Sequence, residues 1–267
     1  PPPPIFFVLI RRPPRSTQGV SSAESDVYKR QRLLTIVTDA AIFGTSGAHA
    51  VWRAKGYRGR EAVIPQFGID PDLFPMRTNK AQRHEQFSVG FVGRLVPEKG
   101  VDLLLRALAI LPEEVPLTVI GAGPERIALG HLAGHLEISD RVVFEPWISS
   151  MEISERMRCL DALVLPSRTT SHWKEQFGRV LLEAMASGAP VVGADCGEIG
   201  NVIGAAGLLF PEGDYAALAA ALRRLLEDST LRQRCANNGR DRVMANFTQA
   251  QVAAETVSFY RQIANDA

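Results

Sequence analysis

Between Phe87 and Phe210 the chain returns six times to a short run of consecutive apolar residues, and stretches with helical spacing lie between most of these runs. They are FSVGFV (87–92), LTVI (117–120), RVVF (141–144), ALVL (162–165), PVVGA (190–194) and GLLF (207–210). A strand that alternates apolar with polar residues has one wet face, whereas a strand apolar throughout is buried on both. Val101 to Leu111 sets Leu104, Leu108 and Leu111 on one helical face, and Gly178 to Ser187 and Tyr215 to Leu226 are similarly amphipathic. The alternation predicts an α/β fold of Rossmann-like type, a parallel sheet with helices on both faces. Its crossovers are right-handed, and ligands bind beyond the carboxyl ends of the strands. The chemistry is therefore to be sought just after each apolar run.

Composition removes several classes of function. Of 267 residues, 30 are Lys or Arg and 29 are Asp or Glu, a balance that gives no electrostatic case for a nucleic-acid partner. Cys159, Cys196 and Cys235 are scattered and form no CxxC pair, which fits a reducing compartment rather than a disulfide framework. His131 and His135 share a helical spacing but lack the acidic neighbour of HExxH, so no metal site is expected. No apolar run approaches the ~20 residues that span a bilayer.

The flanks read differently. Residues 1–31 open with four prolines and hold no period; they resemble a translated vector leader and are set aside from the fold. LLTIVT (33–38) and AVIPQF (62–67) read as strands, with a helix from Ala48 to Lys55 between them that ends at Gly56. TNKAQRHEQ (78–86) is polar and is the expected linker. The expected organisation is 32–83 as part of a first domain with the linker, 84–247 as the regular α/β domain, and 248–267 as a terminal helix.

Three segments after the apolar runs carry candidate chemistry. In GRLVPEKG (93–100), Gly93 permits a tight exit, and Arg94 and Lys99 stand before a helix N-terminus, a setting suited to a diphosphate. In GAGPER (121–126), Gly121 and Gly123 allow a ligand to approach the backbone, and Pro124 suits the first turn of a helix. Arg126 stands where GxGxxG needs its third glycine, which argues against a nicotinamide-dependent dehydrogenase. In EQFGRVLLEAMASGAPVV (175–192), Glu175 lies in a loop and can hold a sugar hydroxyl. The backbone of Phe177, Gly178, Arg179 and Val180 leads into a helix, where N–H groups can point at sugar hydroxyls or phosphate, and Glu183 lies one to two turns further on, where it can accept a ribose diol. The spacing of the two glutamates alone is uninformative, since Glu137 and Glu145 share it; the loop-to-helix setting is what distinguishes Glu175 and Glu183. Trp147 and Trp173 are candidates for stacking on a base or sugar, or for ordinary packing.

The succession GRLVPEKG, GAGPE, EQFGRVLLEAMASGAPVV and GLLFPEGD resembles the family 4 glycosyltransferases, over roughly residues 35–265. The resemblance implies the two-domain GT-B fold, with one complete donor domain here and a remnant of the N-terminal acceptor domain. It implies that Arg94 and Lys99 bind the diphosphate of a nucleotide-sugar and stabilise the leaving group, that Glu175 contacts the transferred sugar, and that Glu183 binds ribose. It further implies transfer with retention of anomeric configuration, no required cofactor or bound metal, and PQFGIDPDLF (65–74) as the interdomain segment. Members of the family carry a whole domain before this segment, so turnover is expected to need it, and His49 receives no catalytic role. The expected partners are a nucleotide-sugar donor and an acceptor whose chemistry stays open. The expected location is cytoplasmic, with peripheral attachment to the inner face of the membrane left open. A nucleotide-sugar epimerase of the same fold and a donor-binding module without catalysis are the alternatives.

Overall fold

A computed structural model describes Thr35 and residues 38–76, 86–171 and 173–265. The leader, most of LLTIVT and nearly all of the polar stretch 78–86 lie outside the described residues. The chain divides into two compact units, one formed by residues through Gly68 with Ala250 onward, the other by Ile69–Gln249. The division falls at Gly68, before the polar stretch expected to separate the domains.

In the smaller unit, β1 (Ala40–Phe43) and β2 (Arg60–Val63) pair in parallel across helix α1 (Ser46–Ala54). Two boundaries differ from expectation, each for a local reason. The helix begins two residues early because the Thr45 hydroxyl accepts from the Ala48 N–H at 3.1 Å and caps it. The second strand is Arg60–Val63 rather than 62–67: the last ladder bond runs from Ile64 N to Phe43 O, and Pro65 has no N–H to continue it. Ala40, Ile64 and Phe259 are buried together, so the last helix, α9 (Gln249–Asn265), packs on this sheet.

The larger unit has the predicted α/β fold, over Ile69–Gln249 rather than 84–247. Its strands are β3 (Val89–Val92), β4 (Leu117–Ile120), β5 (Val142–Glu145), β6 (Ala162–Leu165), β7 (Val191–Ala194) and β8 (Leu208–Phe210). All pairings are parallel, in the order β5-β4-β3-β6-β7-β8. Central β3, β6 and β7 are buried at every position, whereas the edges β5 and β8 carry exposed residues such as Val143 and Leu209. Six longer helices connect and follow these strands: α2 (Val101–Ala109), α3 (Arg126–His135), α4 (Ser150–Cys159), α5 (Arg179–Ala186), α7 (Tyr215–Glu227) and α8 (Ser229–Asn246). A short helix, α6 (Ile199–Ile203), follows β7. Helix α2 packs against α3 and α7, and α5 against α4 and α8. Leu104 and Leu108 of α2 are wholly buried, as their spacing predicts.

The chain lays down β3, β4 and β5 towards one edge, then returns past β3 to begin β6 and continues to the other edge. Connections from β3 and β6 therefore leave in opposite directions, which opens a crevice at their carboxyl ends. Asp161 fixes this strand pair at its entrance: Ser88 N donates to Asp161 Oδ2 at 3.2 Å, and Asp161 N donates to Ser88 O at 2.9 Å. A second staple is Arg240 of α8, whose Nη1 donates to the carbonyls of Phe74 (2.8 Å) and Ala186 (2.5 Å). It ties residues 69–74 to the end of α5.

Candidate functional site

Strand β3 exits into Gly93–Val96, a single 3-10 turn at Pro97–Lys99, and then α2. Gly100 links the turn to the helix in a left-handed conformation (φ 66°), and a side chain there would run into the Pro166 carbonyl oxygen. Only glycine lets the two strand exits approach this closely. The approach brings residues far apart in sequence together. Lys99 Nζ donates to Glu175 Oε2 at 2.5 Å, and Ser167 Oγ donates to the same oxygen at 2.9 Å. Side-chain exposure is 17% for Lys99 and 9% for Glu175, so the pair is largely out of water. Arg168 of the β6 loop adds a second tie, donating from its backbone N to Glu98 O at 2.9 Å and pairing its side chain with Asp102.

Arg94 behaves differently. It is exposed and makes no hydrogen bond or ion pair among the described residues. Lys99 is thus held in place, and Arg94 is free to move towards a ligand.

Gly121 and Gly123 are closely approached by protein backbone. A side chain at Gly121 would strike the carbonyl oxygen of Gly93, and one at Gly123 that of Leu95. Leu95 N donates to Ala122 O at 2.9 Å, and Glu125 N to Leu95 O at 3.0 Å. What approaches these glycines closely is the β3 exit loop, so they shape the site through its backbone. Helix α3 begins at Arg126, after Pro124.

Glu175 lies in the loop before α5, and its carbonyl accepts from Glu198 N at 3.0 Å. Phe177 turns its ring into the core, edge-on to Phe247 at 6.1 Å, so that only its backbone is offered to a ligand. Gly178 caps α5 in a left-handed conformation (φ 76°). Arg179 and Val180 follow as its first residues, whose N–H groups have no carbonyl one turn earlier in the helix. Glu183 is four residues further along, with its Oε1 2.9 Å from Arg179 Nε. Burial pushes the Glu183 carboxyl above the usual range; the Arg179 guanidinium, half exposed, draws it only part of the way back.

Of the tryptophans, Trp147 is 59% exposed rather than packed at a loop edge. Trp173 lies over Lys99, with Nζ 5.0 Å from the ring centroid. His49 belongs to the smaller unit, 2.9 Å from Glu61 Oε1. Ser167 and Gly100 escaped the sequence reading. Ser167 lies two residues past a buried strand, and no local signal marks it, because its role lies in its contact with Glu175.

Comparison with known proteins bears on the family and the fold. Residues 75–242 match the family Glycosyl transferases group 1. A D-inositol 3-phosphate glycosyltransferase of Stackebrandtia nassauensis is 34% identical over 213 residues, covering 72% of this chain and 47% of that protein. The chain thus spans about half the length of the curated relatives it matches. Sucrose-phosphate synthase from Thermosynechococcus elongatus superposes with a TM-score of 0.80 at 27% identity, over 93% of this chain and 65% of that one. Anabaena HepE, solved in complex with UDP, does so with a TM-score of 0.77 at 25% identity, over 92% and 68%. The α/β fold is that of the GT-B glycosyltransferases. With the matched region covering more than half of its length, the chain belongs to the group 1 glycosyl transferases.

Proposed function

We propose that the protein is the donor-binding part of a retaining, family 4 glycosyltransferase that moves a sugar from a nucleotide diphosphate sugar to an acceptor. The observation that carries this reading is the meeting of Lys99 with Glu175 at the switch point between β3 and β6. In the proposed complex Lys99 and Arg94 hold the diphosphate and stabilise the charge that develops as the sugar–phosphate bond breaks. Glu175, fixed by Ser167 and Lys99, accepts a hydroxyl of the transferred sugar. The N–H groups that open α5 point at phosphate or sugar oxygens, and Glu183 accepts the ribose diol. The two cations supply the positive charge that a metal provides elsewhere, so transfer is expected to proceed without one.

UDP bound to HepE supports a nucleotide donor for a fold of this kind. Group 1 glycosyl transferase relatives weigh against the epimerase alternative. Turnover is proposed to require a full acceptor domain in a cytoplasmic enzyme, with the acceptor a glycan, lipid-linked or small molecule.

A thermal-shift panel of UDP, GDP, ADP and their sugar conjugates tests the reading. A ligand at about 100 times its dissociation constant stabilises the fold by about 2.7 kcal/mol, or roughly 5–10 °C at this size. One nucleotide series is expected to stand out, with its shift unchanged by EDTA. Lys99→Ala is expected to weaken binding by more than ~1.5 kcal/mol, as for a lost charge-assisted contact. Equal affinity in the variant would remove Lys99 from the site.

A further inference from the structure

We propose that Trp173 is a positioning residue, whose indole face holds the Lys99 ammonium in register for the diphosphate. This rests on the reading of Lys99 as a diphosphate ligand. A lysine is a point charge on a four-carbon stem with three donors, and a single hydrogen bond leaves it able to swing. Here the ammonium lies against the Glu175 carboxylate and, 5.0 Å from its centroid, the Trp173 ring. That distance is within the range in which a ring face attracts a cation. The contact also takes water from one side of a charge that is only 17% exposed.

The loop that presents the ring is itself tied down. Thr170 N donates to Trp173 O at 2.7 Å, and Trp173 N returns a bond to Thr170 O at 3.4 Å. Thr169 donates from N and Oγ1 to the two carboxylate oxygens of Glu212, at 2.5 and 2.8 Å. Arg168 N is bonded to Glu98 O, next to Lys99 itself. The loop after β6 therefore grips both the lysine's own turn and the loop after β8, and it delivers the indole to one place. One face of the ring is engaged by the cation, so direct stacking on a base or sugar would have to use the other, and a double-mutant cycle separates the two roles.

A double-mutant cycle on the 267-residue chain tests the role, with affinities for UDP, GDP and ADP measured by calorimetry. Trp173→Leu keeps bulk but removes the π face, and is expected to weaken the preferred nucleotide about three- to tenfold. Trp173→Phe restores a π face and is expected to return most of that affinity. In a Lys99→Ala background, Trp173→Leu is expected to change nothing further. An equal loss with and without Lys99 would overturn the proposal, because the ring would then touch the nucleotide directly. Unaltered affinity in Trp173→Leu would overturn it too. If instead Lys99→Ala binds normally, or if none of the three nucleotides binds the unaltered chain, the diphosphate reading itself fails and the positioning role falls with it.

Discussion

Among the cation–carboxylate pairs near the strand ends of the larger unit, Lys99 with Glu175 and Arg179 with Glu183 are built in opposite ways. Lys99 and Glu175 are 76 residues apart and meet only because β3 and β6 are neighbours. Arg179 and Glu183 are four apart on one helix and would meet on any helix of that sequence. In the first pair both partners are largely buried and the carboxylate has a second donor in Ser167. In the second, the carboxylate is buried but its arginine is 51% exposed. A pair assembled by the fold is preorganised by the whole core. A local pair leaves its carboxylate under-compensated and available to another donor, which is what a ribose-binding role asks of it.

The sharpest way to break this comparison is Glu175→Ala. It would leave the Lys99 ammonium and the Ser167 hydroxyl without their acceptor in a site that water barely enters. Removing one partner of a fully buried pair costs about 3–5 kcal/mol, and the remaining exposure of Lys99 brings the expectation to ~2–3 kcal/mol. Urea denaturation should show that loss as a lower midpoint at an unchanged slope. Stability equal to the parent chain would mean that the long-range pair is no more preorganised than the local one.

Arg94→Ala separates stability from binding. Arg94 is exposed and makes no hydrogen bond or ion pair among the described residues, so its loss is expected to alter stability by less than ~0.5 kcal/mol. Affinity for the nucleotide diphosphate should nevertheless fall by ~1.5 kcal/mol, about tenfold. A fall confined to sugar-bearing nucleotides would place Arg94 on the sugar instead of the diphosphate.

The two pairs also show how far the sequence could be read. Strand runs were legible because central strands of a parallel sheet are apolar without interruption; LTVI and ALVL match their strands residue for residue. Runs that included flanking residues were trimmed, as when FSVGFV became Val89–Val92, because burial continues past the ladder: Phe87 and Ser88 are buried outside it. Lys99 and Glu175 could be named from residue type and position after a strand. Their contact could not, since strand order decides which exits are adjacent and no local pattern encodes that order. Ser167 was invisible for the same reason, its importance lying wholly in its partner. Gly121 and Gly123 are points of close approach by the β3 exit loop, a contact that depends on strand order and that no local pattern encodes.

The local pair yields the smallest effect and the most specific signature. Burial raises the Glu183 carboxyl above its ordinary value of 4.5, with Arg179 opposing. The folded state then binds this proton more tightly than the unfolded chain does. Its contribution is most favourable below pH 4.5 and is lost as pH rises through the folded value. Glu183→Gln keeps the shape and removes the titration. The variant should therefore gain stability relative to the parent as pH rises from 4 to 8, and lose that gain on return to pH 4. Urea midpoints taken in pH steps would reveal the divergence. Removing the opposing charge with Arg179→Ala should widen it, whereas a pH-independent difference would mean that Arg179 fully offsets the burial. Nucleotide affinity should move the other way, because the glutamine gives up the acceptor strength of a carboxylate for the ribose diol. A residue whose replacement stabilises the fold while weakening the ligand is held there for binding, and Glu175, whose loss is expected to damage the fold itself, provides the control.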